Sequence, residues 1–177
     1  RSTVGRQAIP GAQDNPSVGA YHEIVESPTP SDDRFDPNRA DLHYRGELSP
    51  DFYAWVFPHG DTTSVGVATG VKGFSMKSAV AQLRKEIGLD QSKTHRCEGA
   101  PIPIGPLGCW DNGRNVVLVG DAAGVVASAS GEGIYYAMAS AQHAAEAVEQ
   151  TLCTGDGAAL GNAYKAFMKQ HGQVFKV

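Results

Sequence analysis

Two glycine-containing motifs, about ten residues apart, carry the groups of this sequence best suited to bind a cofactor. Gly120-Asp121 ends an apolar run, Val116-Val117-Leu118-Val119, and Gly131-Glu132-Gly133 precedes a long alanine-rich stretch. An aspartate at the carboxyl end of a buried strand lies where open α/β sheets bind ligands, and its carboxylate can accept hydrogen bonds from ribose or ribityl hydroxyls. Glycines at a helix start let backbone N–H groups approach an electron-rich ligand. Together the motifs predict one half of a dinucleotide-cofactor site.

A Gly-Asp pair or a Gly-x-Gly triplet taken alone is more typical of an ordinary turn than of a cofactor site. In this sequence a buried strand, Gly120-Asp121, Gly131-Glu132-Gly133 and a helix of small residues follow one another in order. Three separate requirements are therefore met in register, and the cofactor interpretation is favoured over the turn.

The elements around these motifs predict a cofactor-type layer. Three prolines within 101–106 indicate a segment that crosses between two layers and predict a domain junction. The apolar run 116–119 then predicts a parallel strand buried on both faces. A long helix is expected over 133–152, and a further helix over 158–174. The stripe of the long helix expected to pack on a sheet is Ile134, Met138, Ala141, Ala145, Val148 and Leu152.

Upstream of this layer the sequence predicts an antiparallel sheet. Aromatic and β-branched residues are concentrated in the best hairpin of the chain, whose turn is Pro58-His59-Gly60-Asp61. The predicted strands, in chain order, are 21–27, 41–48, 52–57 and 62–69. A sheet of this kind with a helix on one face can form the wall of a ligand cavity.

The other upstream segments connect or cover the sheet. Residues 1–20 and 28–37 are rich in Gly, Pro, Asp and Ser, so both are expected to be connecting loops. Apolar residues at helical spacing predict a short amphipathic helix from Met76, with Ser75 as its N-cap and Gly88 as its stop.

Tyr53, Trp55 and Phe57 recur with period 2, so all three side chains are expected on one side of their strand. Core packing is the more common reason for such a pattern. A cavity for an apolar chain requires the same pattern, and both interpretations stay open on these residues alone. His59 in the hairpin turn has the chemistry of a proton donor, although a turn histidine is more often simply solvated.

Composition excludes several classes of protein. The 177 residues contain 41% hydrophobic residues and carry a net charge of −4 with scattered Lys and Arg, which argues against nucleic-acid binding. Cys97, Cys109 and Cys153 form no C-x-x-C pair, and the histidines show no ligand spacing, so neither a disulfide framework nor a metal site is expected. No stretch of the sequence approaches the length of a membrane span, and neither a membrane span nor a signal peptide is expected.

The string from Val116 to Val148, VVLVGDAAGVVASASGEGIYYAMASAQHAAEAV, resembles the second flavin-binding motif of the geranylgeranyl reductases. These are FAD-dependent members of the aromatic-hydroxylase-like superfamily. A second segment, SPDFYAWVFPHG at 49–60, resembles the Y-x-W-x-F-P motif of the same reductases. The residues of both motifs are most similar to those of the bacteriochlorophyll branch, and the chlorophyll reductases of plants and cyanobacteria are near neighbours. The two motifs cover most of residues 40–177.

The resemblance implies a fold, a set of binding residues and a reaction. The fold would be α/β (α+β), part of an aromatic-hydroxylase-like FAD-binding fold with an antiparallel substrate-binding sheet. The residues implied to bind FAD are Gly120, Asp121, Gly131, Glu132, Gly133 and Ile134. The residues implied to bind the prenyl substrate are Tyr53, Trp55, Phe57 and Pro58. Ser128 stands where the family commonly has a proline between the aspartate and the glycine loop, which makes the loop prediction less specific.

The reaction implied by the resemblance is hydride transfer from NADPH to FAD and then to isolated double bonds of a geranylgeranyl chain, giving a phytyl group. The substrate would be a geranylgeranyl-bearing pigment or a prenyl diphosphate, and no residue is assigned as the proton donor. A cytoplasmic location with peripheral contact to a photosynthetic membrane is expected from that substrate. The alternatives are a flavin-dependent aromatic hydroxylase and a non-catalytic binding module.

The chain is expected to be a piece of a longer protein. It begins without a methionine and ends within an apolar, helix-compatible pattern. No G-x-G-x-x-G follows a strand, so the half of the FAD site that holds the pyrophosphate is expected upstream in the intact protein. The expected domains are a connection at 1–20, the substrate-binding sheet and helix at 21–100, the C-terminal part of the FAD-binding domain at 101–155, and the start of a helical region at 156–177.

Overall fold

The computed structural model describes residues 2–28 and 34–176, which form two compact units. The helices are α1 (Thr3–Ala8), α2 (Met76–Glu86), α3 (Gly120–Ala123), α4 (Ile134–Thr154) and α5 (Asn162–His171). The strands are β1 (Ser17–Glu26), β2 (Asp41–His43), β3 (Ala54–His59), β4 (Thr62–Thr69) and β5 (Thr94–Pro103). Short 3-10 turns lie at Ala12–Asp14, Gly157–Gly161 and Gly172–Phe175. Residues 18–101 form a sheet unit, and residues 2–17 with 102–176 form a helical unit.

The sheet unit contains five strands in the order β2-β3-β4-β1-β5, with β4 at its centre. The predicted hairpin is confirmed: β3 and β4 pair antiparallel from Ala54 opposite Val67 to His59 opposite Thr62. Gly60 lies in the two-residue turn at φ 69°, a backbone conformation that favours glycine. Antiparallel pairing also joins β1 to β4 and β2 to β3.

The core of the sheet unit lies between β4 and α2. Val65 and Val67 on β4 and Val80 and Leu83 on α2 are completely buried. Each such side chain contributes roughly 1.5–3 kcal/mol relative to an exposed one. The predicted helix is confirmed, since the Ser75 side chain accepts a hydrogen bond from the backbone N–H of Ser78 at its start.

Arg84, near the end of α2, joins this helix to the strands through an ion pair and several hydrogen bonds. It is only 9% exposed, and its guanidinium pairs with Glu23 on β1. It also donates to the carbonyls of Leu89 (3.0 Å) and Ser92 (2.6 Å) and to the Thr94 hydroxyl (2.9 Å). A buried guanidinium is tolerated because its donors have partners, and these contacts fix the end of α2 to the strands.

Two sequence predictions for this unit need correction, and one strand was missed. The strand predicted at 41–48 is confirmed only at Asp41–His43. β1 begins at Ser17, within a segment predicted as loop. β5 was not predicted, because most of its residues are exposed and it shows no alternation of apolar and polar side chains. Of the connection predicted at 28–37, residues 29–33 lie outside the part of the chain that the structure describes.

The helical unit is built around Trp110 and Phe167, both completely buried with ring centroids 5.1 Å apart. Residues 1–20 were predicted as loop, but α1 occupies Thr3–Ala8 because the Ser2 hydroxyl caps it by accepting from the N–H of Gly5 at 2.9 Å. The helix predicted over 158–174 is confirmed as α5 with a 3-10 turn at each end.

The strand predicted at Val116–Val119 is wrong. Val117 makes a single antiparallel bridge to Asp111, and Val119 directly precedes α3. Within the described residues no strand runs beside this segment, so its apolar side chains pack against helices without forming a ladder. Val117 and Val119 pack against Ala144, Ala147 and Ala163.

The long helix predicted over 133–152 is confirmed as α4, but its buried stripe was predicted on the wrong face. The buried residues are Ser140, Ala144 and Ala147, all of them small. The predicted stripe is on the outer side, where Ile134 is 79%, Met138 70% and Leu152 80% exposed. Small residues permit close approach to α5, and in the described part of the chain nothing covers the larger side chains. No helix among the described residues combines the length and hydropathy needed to cross a bilayer.

We expect stability to depend on pH through Glu86 at the end of α2. Its carboxylate accepts from Arg45 at 2.7 and 3.1 Å and from Gln82 at 2.9 Å, and chiefly the Arg45 bonds lower its pKa to about 2. A carboxylate with a lowered pKa stabilises the fold above its unfolded pKa, and the contribution is lost as pH falls towards the folded value. Glu86→Gln should therefore lower the urea midpoint at neutral pH and flatten its decline between about pH 4.5 and 2.

The effect will be smaller than the pKa shift alone implies, because both side chains are about one-third exposed and water screens the pair. Glu149→Gln on exposed α4 is the matched control for loss of a carboxylate. Superimposable pH profiles of the wild type and Glu86→Gln would contradict the prediction.

Candidate functional site

Gly120 begins α3 in a conformation that fixes its position against α4. Its φ is 55°, and its buried N–H donates to the Ser140 hydroxyl at 3.0 Å. A Cβ on Gly120 would lie 3.2 Å from the Cβ of Ala137, closer than most side-chain contacts. Both the dihedral angle and the close packing explain why glycine precedes the aspartate.

The structure brings the two glycine motifs together. Asp121 follows Gly120 with an exposed side chain, and a Cβ placed on Gly133 would lie 3.5 Å from its Oδ1. The same Cβ would lie 3.3 Å from a methyl of Val126. Gly133 therefore keeps open the space beside the carboxylate, at the point where α4 begins.

Hydrogen bonds hold the loop between the motifs. The Gly131 N–H donates to the Ala127 carbonyl and the Ala127 N–H donates to the Glu132 carbonyl, both at 2.8 Å. The Ser128 hydroxyl donates to the Ile104 carbonyl at 2.7 Å. Gly131 has a φ of 70°, which favours glycine. Ser128, where the family commonly has proline, thus anchors the loop by a hydrogen bond.

Glu132 and Ile134 differ in environment from Gly133 between them. The carboxylate of Glu132 accepts from the Tyr135 N–H at 2.8 Å, so this side chain caps the first turn of α4. Ile134 is 79% exposed. The groups at this helix start that can meet an electron-rich ligand are therefore backbone N–H groups, which lack intrahelical partners in the first turn.

The predicted aromatic side chains lie together on β3 and just before it. Trp55 stacks on Phe57 with centroids 6.2 Å apart and meets Tyr53 edge-on at the same distance. All three are half-buried, as is Pro58, which pairs in register with Thr63. Burial raises the pKa of the Tyr53 hydroxyl, with a smaller contribution from Tyr44. The described residues thus present a continuous aromatic surface outside the apolar core. His59 is exposed at the end of β3.

Two histidines that sequence spacing did not connect share a cavity of about 300 Å³ between α4 and α5. His143 Nε2 lies 3.1 Å from the Gln170 oxygen, and the buried Nε2 of His171 has no hydrogen-bond partner among the residues that the structure describes. Burial, and then the proximity of His143, lowers the pKa of His171. No group of three or more metal-ligating side chains occurs among residues 2–28 and 34–176.

No protein-family model matches the chain. A geranylgeranyl diphosphate reductase from Rhodobacter capsulatus is 55% identical to it over 162 residues. The aligned region is 92% of this chain and 41% of that protein, so the chain spans less than half the length of this relative.

Two solved structures resemble the fold. A geranylgeranyl bacteriochlorophyll reductase-like protein from Thermoplasma acidophilum aligns over 91% of this chain and 41% of its own, with 20% identity and a TM-score of 0.74. p-Nitrophenol 4-monooxygenase from Pseudomonas putida aligns over 92% of this chain and 44% of its own, with 17% identity and a TM-score of 0.56. The predicted mixed α/β fold with an antiparallel sheet is confirmed.

Ser140→Ala tests whether the start of α3 depends on α4. The substitution leaves the buried Gly120 N–H without its acceptor, and we expect a loss of roughly 1–3 kcal/mol in the free energy of unfolding. Urea denaturation measures it. Ser92→Ala is the matched control, because the contact of Ser92 with Arg84 runs through its backbone carbonyl. Equal stability of the two variants would show that the hydroxyl does not hold Gly120.

Proposed function

Because the chain is a homologue of geranylgeranyl reductases along 92% of its length, we propose that it is part of an enzyme that reduces a geranylgeranyl chain to phytyl. The enzyme uses FAD and NADPH, and its substrate is a geranylgeranyl-bearing (bacterio)chlorophyll or geranylgeranyl diphosphate. The 55% identity to the Rhodobacter capsulatus reductase is the observation that carries the proposal.

The glycine motifs fit the flavin-proximal part of an FAD site. The carboxylate of Asp121 is exposed, and Gly133 places no Cβ beside it. The carboxylate can therefore accept hydrogen bonds from ribityl hydroxyls. Gly120, Gly131 and Gly133 present backbone rather than bulky side chains. Bound FAD would supply hydride transfer, accepting hydride from NADPH and passing it to the double bond, and a proton would complete each reduction.

Tyr53, Trp55 and Phe57 form the proposed contact surface for the prenyl chain, whereas Pro58, the next residue on β3, is on the opposite side of the strand. A polyisoprene has no hydrogen-bonding groups, so an apolar surface must hold it and exclude water. The aromatic surface lies outside the core between β4 and α2, which leaves its rings available to a ligand. We assign substrate binding to residues 21–100 and cofactor binding to residues 101–155. Peripheral membrane contact follows from the lipid-like substrate.

A flavin-dependent aromatic hydroxylase is the second candidate, because the p-nitrophenol 4-monooxygenase structure resembles the fold. The higher TM-score of the reductase-like structure and the aromatic surface favour the reductase. The decisive experiment incubates the full-length protein with FAD, NADPH and either geranylgeranyl diphosphate or geranylgeranyl bacteriochlorophyll, with and without oxygen.

Mass spectrometry of the prenyl product gives the outcome. Hydrogenated chains formed without oxygen are expected. No reduction of either prenyl substrate would reject the reductase, and O₂-dependent hydroxylation of p-nitrophenol, offered in a parallel reaction, would establish the hydroxylase instead. In a deletion strain, accumulation of geranylgeranyl-esterified pigment is expected, whereas unaltered phytyl pigment would contradict the pigment as substrate.

Asp121→Ala should weaken FAD binding without unfolding the protein. The side chain is exposed, and the loss of hydrogen bonds to a charged acceptor should raise the Kd for FAD roughly 10- to 100-fold. Flavin fluorescence titration of the full-length protein measures this, and Asp90→Ala, an exposed aspartate of the sheet unit, is the matched control. An unchanged Kd would remove Asp121 from the cofactor site.

A further inference from the structure

A chain of hydrogen bonds crosses four strands of the sheet and ends on the indole of Trp55. The Trp55 Nε1–H on β3 donates to the Ser64 hydroxyl on β4 at 3.1 Å. Ser64 in turn lies 2.9 Å from Nδ1 of His22 on β1. Nε2 of His22 lies 3.1 Å from the Glu98 carboxylate on β5. The chain of contacts is therefore Trp55, Ser64, His22 and Glu98.

The chemistry of the four side chains fixes which of them donates and which accepts in each hydrogen bond. A carboxylate only accepts, so the His22 Nε2 carries the hydrogen that Glu98 receives. In the neutral imidazole Nδ1 then accepts, and the Ser64 hydroxyl donates to it while accepting from the indole. Aligned bonds of this kind reinforce one another. Ser64 is 6% exposed, so water competes little for the middle of the chain.

Gly66 provides the space that the indole occupies. It is the register partner of both Trp55 and His22. A Cβ on Gly66 would overlap ring carbons of Trp55 and would lie 2.7 Å from the Cβ of His22. The indole therefore lies flat across β4, which only a residue without a side chain permits.

We propose, on the basis of the proposed function, that Ser64 and His22 are positioning residues that act through Trp55 on the prenyl substrate. A polyisoprene offers no polar group by which its register along the surface can be fixed, so the shape of the aromatic wall must fix it. Trp55 is the central ring between Tyr53 and Phe57. Holding its plane sets which double bond is presented for reduction, and the hydrogen bonds hold that plane.

The test uses the full-length enzyme with Ser64→Ala and, because a buried change can affect folding, also His22→Phe. Ser64→Ala removes the indole's acceptor, whereas His22→Phe keeps a ring beside Trp55 and removes the anchor of Ser64. Ser92→Ala is the control. Hydrogen exchange of the Trp55 indole N–H, assigned with Trp55→Phe, should be about tenfold faster in Ser64→Ala and accelerated less in His22→Phe.

The catalytic readout is the ratio of partially to fully reduced chains, together with KM and kcat. We expect kcat/KM to fall roughly 2- to 10-fold and partially reduced chains to accumulate, while the control matches the wild type. Faster exchange with an unchanged product ratio would overturn the positioning role. Exchange equal to that of Ser92→Ala in both variants would overturn the hydrogen-bonded chain itself.

Failure of the proposed function is a separate result. A wild-type enzyme that reduces no prenyl chain rejects that function, whereas indole exchange reports on the hydrogen bonds with or without turnover.

Discussion

The burial of β4 on both of its faces is the constraint on which the sheet unit depends. On one face Val65 and Val67 fill the core against α2. On the other face the strand carries Ser64 and Gly66, which are small enough for the indole of Trp55 to cross above them. A single eight-residue strand thus sets both the apolar core and the aromatic surface. Stability and the candidate substrate surface are consequently linked through the same backbone, and Arg84 fixes the helix that closes the core.

Local patterns in the sequence were sufficient for the elements that are stabilised locally. The β3–β4 hairpin, α2 with its Ser75 cap and the long α4 were all predicted, because turn residues, caps and periodicity act within a few positions. β5 could not be predicted, since most of its residues are exposed and it shows no alternation of apolar and polar side chains. An apolar run such as 116–119 does not distinguish a strand from a segment buried among helices, and the face of α4 that is buried depends on partners far away in the sequence.

The candidate cofactor site shows the same division. The proximity of Asp121 to Gly133 follows from a short loop, and the motif spacing was enough to predict it. The capping role of Glu132 was missed because Glu132 was considered only as part of the glycine loop that the resemblance implies for FAD; its carboxylate accepts from the Tyr135 N–H. Ser64, His22 and Glu98 were missed for another reason. Their contacts join positions 42 and 76 residues apart, and only the strand order brings them together.

The flat placement of one indole has a consequence for how this fold can vary. Because Gly66 faces both the Trp55 ring and the Cβ of His22, no side chain can be accommodated at position 66 unless positions 55 and 22 change as well. Substitutions at position 66 are therefore coupled to substitutions at positions 55 and 22, although the three residues are on three different strands. A redesign of the aromatic surface that places a side chain at position 66 therefore has to alter positions 55 and 22 as well, since the new Cβ would meet both of them.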